Sequence, residues 1–301
     1  MKIGLIDVDG HNFPNLALMK ISAWHKAQGD SVEWWFGWSQ YDRVYMSKVF
    51  DETYSPDIPE PINAREVVKG GTGYDLGNKL PAEIENCFPD YSLYPQYTEG
   101  KAFGFLTRGC PNNCPFCIVS RKEGRKSCKV SDLDQWWNGQ KEIVLCDPNL
   151  LACKDHMSLL DQLAESNAWV DINQGVDARL LTEKNIEAMN RIRIRNVHFA
   201  WDLMERSEPI LKGLRLYREM GKKTAHGSHG TVYVLTNFNT TMEENLYRVE
   251  TLRNLGFDPY VMIYDKPNAP KDVRALQRWC NNRKLFKTCT FEEYDGRRER
   301  S

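Results

Sequence analysis

The chain has 301 residues, 41% of them hydrophobic and 27% charged, with 40 basic residues against 41 acidic ones for a formal net charge of −1. That length suits one large domain or two smaller ones, at about 150 residues per domain, and the composition supplies enough apolar material for a sizeable core. The charge balance excludes a globally basic protein that coats nucleic acid, and no apolar run reaches the roughly 18 residues that a membrane-spanning helix needs.

The opening stretch MKIGLIDVDG has one lysine, a short apolar run and then acids. It lacks the apolar region and cleavage site of a secretory signal and reads as a buried first strand, so a cytoplasmic location and no membrane partner are expected. Leu16, Met19, Ile21 and Trp24 recur at helical spacing and predict a helix over 15–27 that stops near Gly29. Further strands are predicted at 31–35, within 41–50 and at 66–68, the last running into Gly70-Gly71-Thr72-Gly73. Residues 75–100, rich in Pro, Tyr and Asn, read as a linker or wrapping segment. Together these form a small α/β domain with its linker over residues 1–98.

From residue 99 to 268 the alternation is regular. Strands are predicted at 102–107, 142–147, 169–173, 196–202, 231–237 and 259–265, with helices at 132–137, 155–165, 183–192, 209–220 and 243–255. Such alternation implies a parallel sheet with right-handed crossovers, open or closed part-way into a barrel, with ligands at the carboxyl ends of the strands. Residues 269–301 read as a final helix over 271–286, with Trp279 on its apolar face, and a charged, frayed tail at 295–301. No internal repeat or low-complexity tract is present.

Nine cysteines are a high and odd count, and without a secretory signal a disulfide framework is not expected. Clustered cysteines in a reducing compartment point to metal binding or catalysis. Cys110, Cys114 and Cys117 fall within eight residues, just past the first strand of the regular array. Three thiolates at Cys-x3-Cys-x2-Cys spacing on a tight loop suit three irons of a [4Fe–4S] cube, with the fourth iron left open to a small molecule. Gly109, Pro111 and Pro115 suit the sharp turns of such a loop. The plainer alternative is structural zinc, which takes four ligands; there is no second cysteine pair, and Cys128 is the nearest candidate for a fourth. Cys146 and Cys153 read as small buried hydrophobes. His226 and His229 read as part of a plain glycine-rich loop, and Arg121–Lys126 with Lys129 as a basic loop able to meet a carboxylate or phosphate.

With Phe116 at the aromatic position, the cysteine motif resembles the Cys-x3-Cys-x-aromatic-Cys hallmark of the radical S-adenosylmethionine (SAM) superfamily. The six βα units are similar in number and order to that family's partial (β/α)6 barrel, and the resemblance covers residues 100–266. It implies an α/β fold in which a partial barrel follows a small Rossmann-like domain. It also implies that Cys110, Cys114 and Cys117 hold a [4Fe–4S] cluster, that Phe116 packs near the adenine, and that the open iron chelates the amino and carboxylate groups of SAM. One electron, from a donor such as flavodoxin or ferredoxin, then cleaves the sulfonium bond to give a 5′-deoxyadenosyl radical that abstracts hydrogen from a substrate. The substrate (nucleic acid, peptide or small molecule) is left open, and no catalytic residue is named. The competing reading is a zinc- or cluster-bearing nucleic-acid-binding protein without SAM chemistry, using the basic loop.

The family's Gly-Gly-Glu motif after the second strand is replaced here by Cys146-Asp147-Pro148-Asn149, where Asp147 and Asn149 would supply the acceptors for SAM. At the third strand end, Asn173, Gln174, Asp177 and Arg179 are candidates for SAM or substrate contacts; the other reading is that Asp177 and Arg179 cap the next helix and pair with each other. Asp202 follows the same strand-end logic at the fourth strand, and the backbone near Val234 and Leu235 is placed to meet the adenine. The amino-terminal unit resembles a shortened cobalamin-binding domain, and Asp9-Gly10-His11 is similar to its histidine motif, with Pro14 where that motif has glycine. A vestigial or purely structural domain is the expectation, with cobalamin a minor alternative and Gly70–Gly73 otherwise a tight turn.

Overall fold

The run Lys-Ile-Gly-Leu-Ile-Asp has four consecutive buried residues, as an interior strand of a parallel sheet must. In the computed structural model, which describes residues 1–10 and 12–294, this run is β1 (Lys2–Asp7). It lies between β2 (Ser31–Trp34) and β3 (Tyr41–Ser47), with β4 (Ala64–Gly70) outside β3, and every pairing is parallel. The helix Leu16–Ala27 begins where the Asn15 side chain accepts from the Leu18 N–H at 3.2 Å, satisfying one of the helix's otherwise unpaired donors. Its Leu18 and Ile21 share a core with Ile3, Leu5 and Tyr45.

Residues 75–100 wrap rather than link. They form short helical turns at Ala82–Glu85, Tyr91–Leu93 and Pro95–Thr98. The Tyr94 hydroxyl donates to Asp7 at 2.6 Å in the first sheet, while the Tyr91 hydroxyl donates to the Trp136 carbonyl at 2.6 Å beside the second.

The second sheet opens with β5 (Lys101–Gly104). The predicted strand does not continue to 107. It breaks after Gly104 and resumes as β6 (Thr107–Arg108), which pairs antiparallel with β7 (Cys128–Lys129) and so closes the cysteine loop at its base. Then β8 (Glu142–Leu145), β9 (Trp169–Val176), β10 (Arg193–Ala200), β11 (Thr231–Thr236) and β12 (Asp258–Ile263) follow. The six strands stand in chain order from β5 to β12, all parallel. Without a reversal of order, right-handed crossovers put the intervening helices on one face. The helices His156–Glu165, Glu183–Asn190 and Ser207–Met220 accordingly touch one another in succession. Their apolar sides join Ile143, Val170, Val197 and Val232 in the main core.

The opposite face of this sheet is polar and uncovered toward its far edge. Tyr260 and Met262 on β12 are exposed, and His198 stacks on Tyr233 with ring centres 5.1 Å apart. Between β9 and β10 the register slips: Ile172 pairs with Val197 and Val176 with Phe199, so Asn173-Gln174-Gly175 bulges opposite one residue.

Two predicted helices differ in the structure. The one at 132–137 is a 3₁₀ turn, Leu133–Gln135, in which the Asp132 and Gln135 side chains cap each other's backbone. The final helix is two, Lys271–Asn281 and Arg283–Thr288, because Asn282 leaves helical geometry and its side chain caps the second. Trp279 is buried as expected, in a core with Val249, Val261 and Phe286 that attaches the first of these helices to β12. The tail at 295–301, expected to be charged and frayed, lies outside the described residues, as does His11. Among the described residues no helix is long and apolar enough to cross a membrane.

Candidate functional site at the cysteine loop

The loop that follows β6 is shaped by one glycine. Gly109 has φ +87°, and a Cβ there would stand 2.2 Å from the Lys126 carbonyl oxygen, so no other residue fits. The next residue's N–H donates to the Gly124 carbonyl at 3.1 Å, and the Cys117 N–H donates to the Cys114 carbonyl at 3.0 Å. Cys110, Cys114 and Cys117 are all free and half-buried. Burial pushes the Cys114 and Cys117 thiols up, and the Arg206 guanidinium opposes this at Cys114. Among the described residues no three His, Cys, Asp or Glu side chains converge closely enough to hold a metal ion, and Cys128 is exposed on β7.

Three strand ends reach this loop. From the end of β8, the Asn149 amide contacts the Cys110 sulfur at 3.6 Å and donates to Asp177 at 3.3 Å. Asn149 is almost fully buried, and its Oδ1 has no hydrogen-bond partner. From the end of β9, Asp177 accepts from Asn112 of the loop at 2.9 Å and from Arg179 at 2.8 and 2.7 Å, while Arg179 donates to Asn112 Oδ1 at 2.6 Å. Asp177 also caps the 3₁₀ turn Ala178–Leu180. The two residues thus cap and pair, as one reading of the sequence had it, and they also grip the loop through Asn112. Burial works against ionisation of Asp177, yet Arg179 and Asn112 hold its carboxyl below the usual range. From beyond β10, Arg206 contacts the Cys114 sulfur at 3.5 Å and the Asn112 carbonyl at 3.4 Å.

The remaining candidates separate. Asp202 lies at the same end, lining a cavity with Cys114, Asn149, Asp177, Arg179 and Arg206. It accepts from the Leu235 N–H at 3.1 Å, and burial pushes its carboxyl up to about 6. Asp147 does not line the cavity. It accepts from the Leu106 and Thr107 N–H groups at 2.7 Å each and from the Thr107 hydroxyl at 2.5 Å, so its acceptors are spent on the β5–β6 turn, and burial pushes it up to about 7. Asn173 is carried aside by the bulge and Gln174 takes the place at the cavity. Phe116 meets Phe238 edge-to-face at 5.4 Å, and Phe238 meets Tyr264 at 4.9 Å, making an aromatic strip across the ends of β11 and β12.

Sequence reasoning missed Asn112, Arg206 and Arg248. Arg248 is wholly buried and donates to the Trp201, Asp202 and Leu235 carbonyls at 2.8, 3.1 and 2.8 Å, fixing the ends of β10 and β11. Its signal was weak: an arginine on the inward side of a predicted helix, where an apolar residue belongs. The cavity itself is about 110 Å³. That is a few water volumes, at about 30 Å³ each.

At the corresponding end of the first sheet, the Asp9 carboxylate accepts from the Val49 N–H at 2.8 Å and the Phe50 N–H at 2.6 Å. Gly71 has φ +97°, and a Cβ there would stand 2.2 Å from the Lys48 carbonyl oxygen. The glycine run is thus a tight turn packed against the chain's own backbone. Cys146 and Cys153 are buried, as read from the sequence.

No model of a known protein family matches the chain, and no curated protein matches it.

Proposed function

We propose that the chain is a radical-SAM enzyme in which Cys110, Cys114 and Cys117 hold a [4Fe–4S] cluster. One observation carries the reading: side chains from three successive strand ends, Asn149, Asp177 and Arg206, converge by hydrogen bonds on a Cys-x3-Cys-x-Phe-Cys loop that follows the first strand of a six-stranded, sequentially ordered parallel sheet. That order, with helices against one face and a polar opposite face, supports a partial barrel. The donor set fits the group. A cube takes one thiolate at each of three corners and does not require the sulfurs to converge on a point, as a single tetrahedral zinc does.

When bound, the cluster and SAM supply one-electron cleavage of a sulfonium bond and a carbon radical that abstracts hydrogen. The protein's part is to position and to set charge. Arg206 and Asn149 donate toward two of the sulfurs, and the Arg206 guanidinium offsets part of the burial that pushes the Cys114 thiol up. Asp177, Arg179 and Asn112 lock the loop, and Asp202 presents a carboxyl to the cavity. Phe116, Phe238 and Tyr264, packed edge-to-face, offer an apolar aromatic surface to an adenine, and the exposed far edge of the sheet at Tyr260 and Met262 leaves room for substrate. The cavity is smaller than a nucleoside, so its occupation requires lining side chains to move.

The test is anaerobic reconstitution with iron and sulfide, followed by dithionite and SAM. Absorption near about 400 nm, iron–sulfur in origin, and release of 5′-deoxyadenosine are expected. Protein carrying a full cluster that releases none overturns the enzyme reading.

A further inference from the structure

A cavity of about 750 Å³ lies between the two sheets and is not lined by Cys110, Cys114 or Cys117. Its volume falls within the range of about 300–1,000 Å³ usual for small-molecule sites. Much of its wall is apolar: Ile21, Tyr45 and Val68 from the first sheet and its helix, Phe103, Phe105 and Trp136 from the second.

The charges are unbalanced. Lys20, Arg43, Lys69, Lys79, Arg108 and Lys122 line the cavity against Glu66, Glu85 and Glu123. The three acids are each taken: Glu66 by Arg43 at 2.7 Å, Glu85 by Lys20 at 2.8 Å, Glu123 by Arg108 at 2.8 Å. Lys69 pairs with Glu60 at 2.9 Å, and Lys79 is exposed. Lys122 is different. It is half-buried, forms no ion pair among the described residues, and gives its ammonium to the hydroxyl of Thr72 on the glycine turn. Burial holds its amine below the usual range, with the nearby Glu123 opposing and Arg108 adding to the shift.

We infer that this cavity binds an organic phosphate of mononucleotide size, its apolar body between the aromatic walls and its phosphate at Lys122 and Thr72. A phosphate monoester carries about −1.5 to −2 charge at pH 7 and several acceptor oxygens, which suits this cationic surplus better than a monocarboxylate does. The site stands independently of the cluster.

Titration calorimetry on the full chain, with and without reconstituted iron, tests the inference with AMP and GMP as probes, beside adenosine, guanosine and a short oligonucleotide. The nucleotides should bind at least tenfold more tightly than the nucleosides. Lys122→Gln should weaken them tenfold or more with an unchanged melting temperature, Lys122→Arg should restore most of the loss, and Arg121→Gln, on the exposed side of the same turn, should change nothing. Absence of binding, equal binding of nucleosides, indifference to Lys122→Gln, or binding of the oligonucleotide alone each overturns it.

Discussion

Both sheets are parallel, and both gather polar residues at the carboxyl ends of their strands, yet the two ends are built differently. In the first sheet those groups satisfy one another: Asp9 takes the Val49 and Phe50 amides, Tyr94 takes Asp7, and the glycine turn lies on the Lys48 backbone. In the second, Asn149 and Arg206 point at sulfur, and a buried oxygen of Asn149 is left without a partner. Strand-end polarity alone therefore does not mark a site. What marks it is hydrogen-bonding capacity aimed at a group that can bind something further.

The sharpest way to break this comparison is at the sulfurs. Cys114→Ala should abolish cluster retention and reduce 5′-deoxyadenosine release below detection, with little change in the melting temperature, since the loop is half-buried; iron analysis beside a thermal melt checks both. Next come the two buried carboxylates. Asp147→Ala and Asp9→Ala each strand two backbone amides and should cost about 2–4 kcal/mol in denaturant unfolding. Only Asp147→Ala should also lower iron occupancy, because it releases the turn beneath the cysteine loop; equal iron in both variants would erase the distinction.

Asp202 gives a smaller effect with a definite sign. Burial pushes its carboxyl up to about 6 in the folded chain, above the ordinary carboxylate range of about 4. Below the lower value both states are protonated and nothing is lost. As pH rises from about 4 to 6 the unfolded chain ionises first and stability falls. Asp202→Asn should flatten that window and gain on the order of 1–2 kcal/mol at pH 7, read from urea melts at several pH values. The smallest effect belongs to Arg206→Gln, which should leave folding intact and shift the cluster midpoint potential negative by on the order of 50 mV, from loss of one cation beside a thiolate. A potential unmoved would make Arg206 a packing residue only.

Most strands were legible because buried parallel strands are short apolar runs set between helical periods, as in Glu142–Leu145 and Thr231–Thr236. The break at Asn282 was not, since Trp279 and Phe286 keep helical spacing across it. At the site, Asn149, Asp177, Arg179 and Asp202 followed from strand-end position. Asp147 and Asn173, chosen by the same rule, do not line the cavity, because the rule knows neither the turn that engages one nor the bulge that displaces the other. Arg206 was invisible: no local pattern tells that its side chain meets a sulfur 92 residues earlier in the chain.

Arg248 has a consequence for motion. Strand ends ordinarily fray, exchanging their amide protons faster than strand centres. Here one enclosed guanidinium rivets the ends of β10 and β11 into a single corner, so the amide of Leu235 should be among the slowest in the molecule to exchange with deuterium. The polar rim above it then works from a rigid footing, and any opening that admits a ligand must come from the side chains and the cysteine loop.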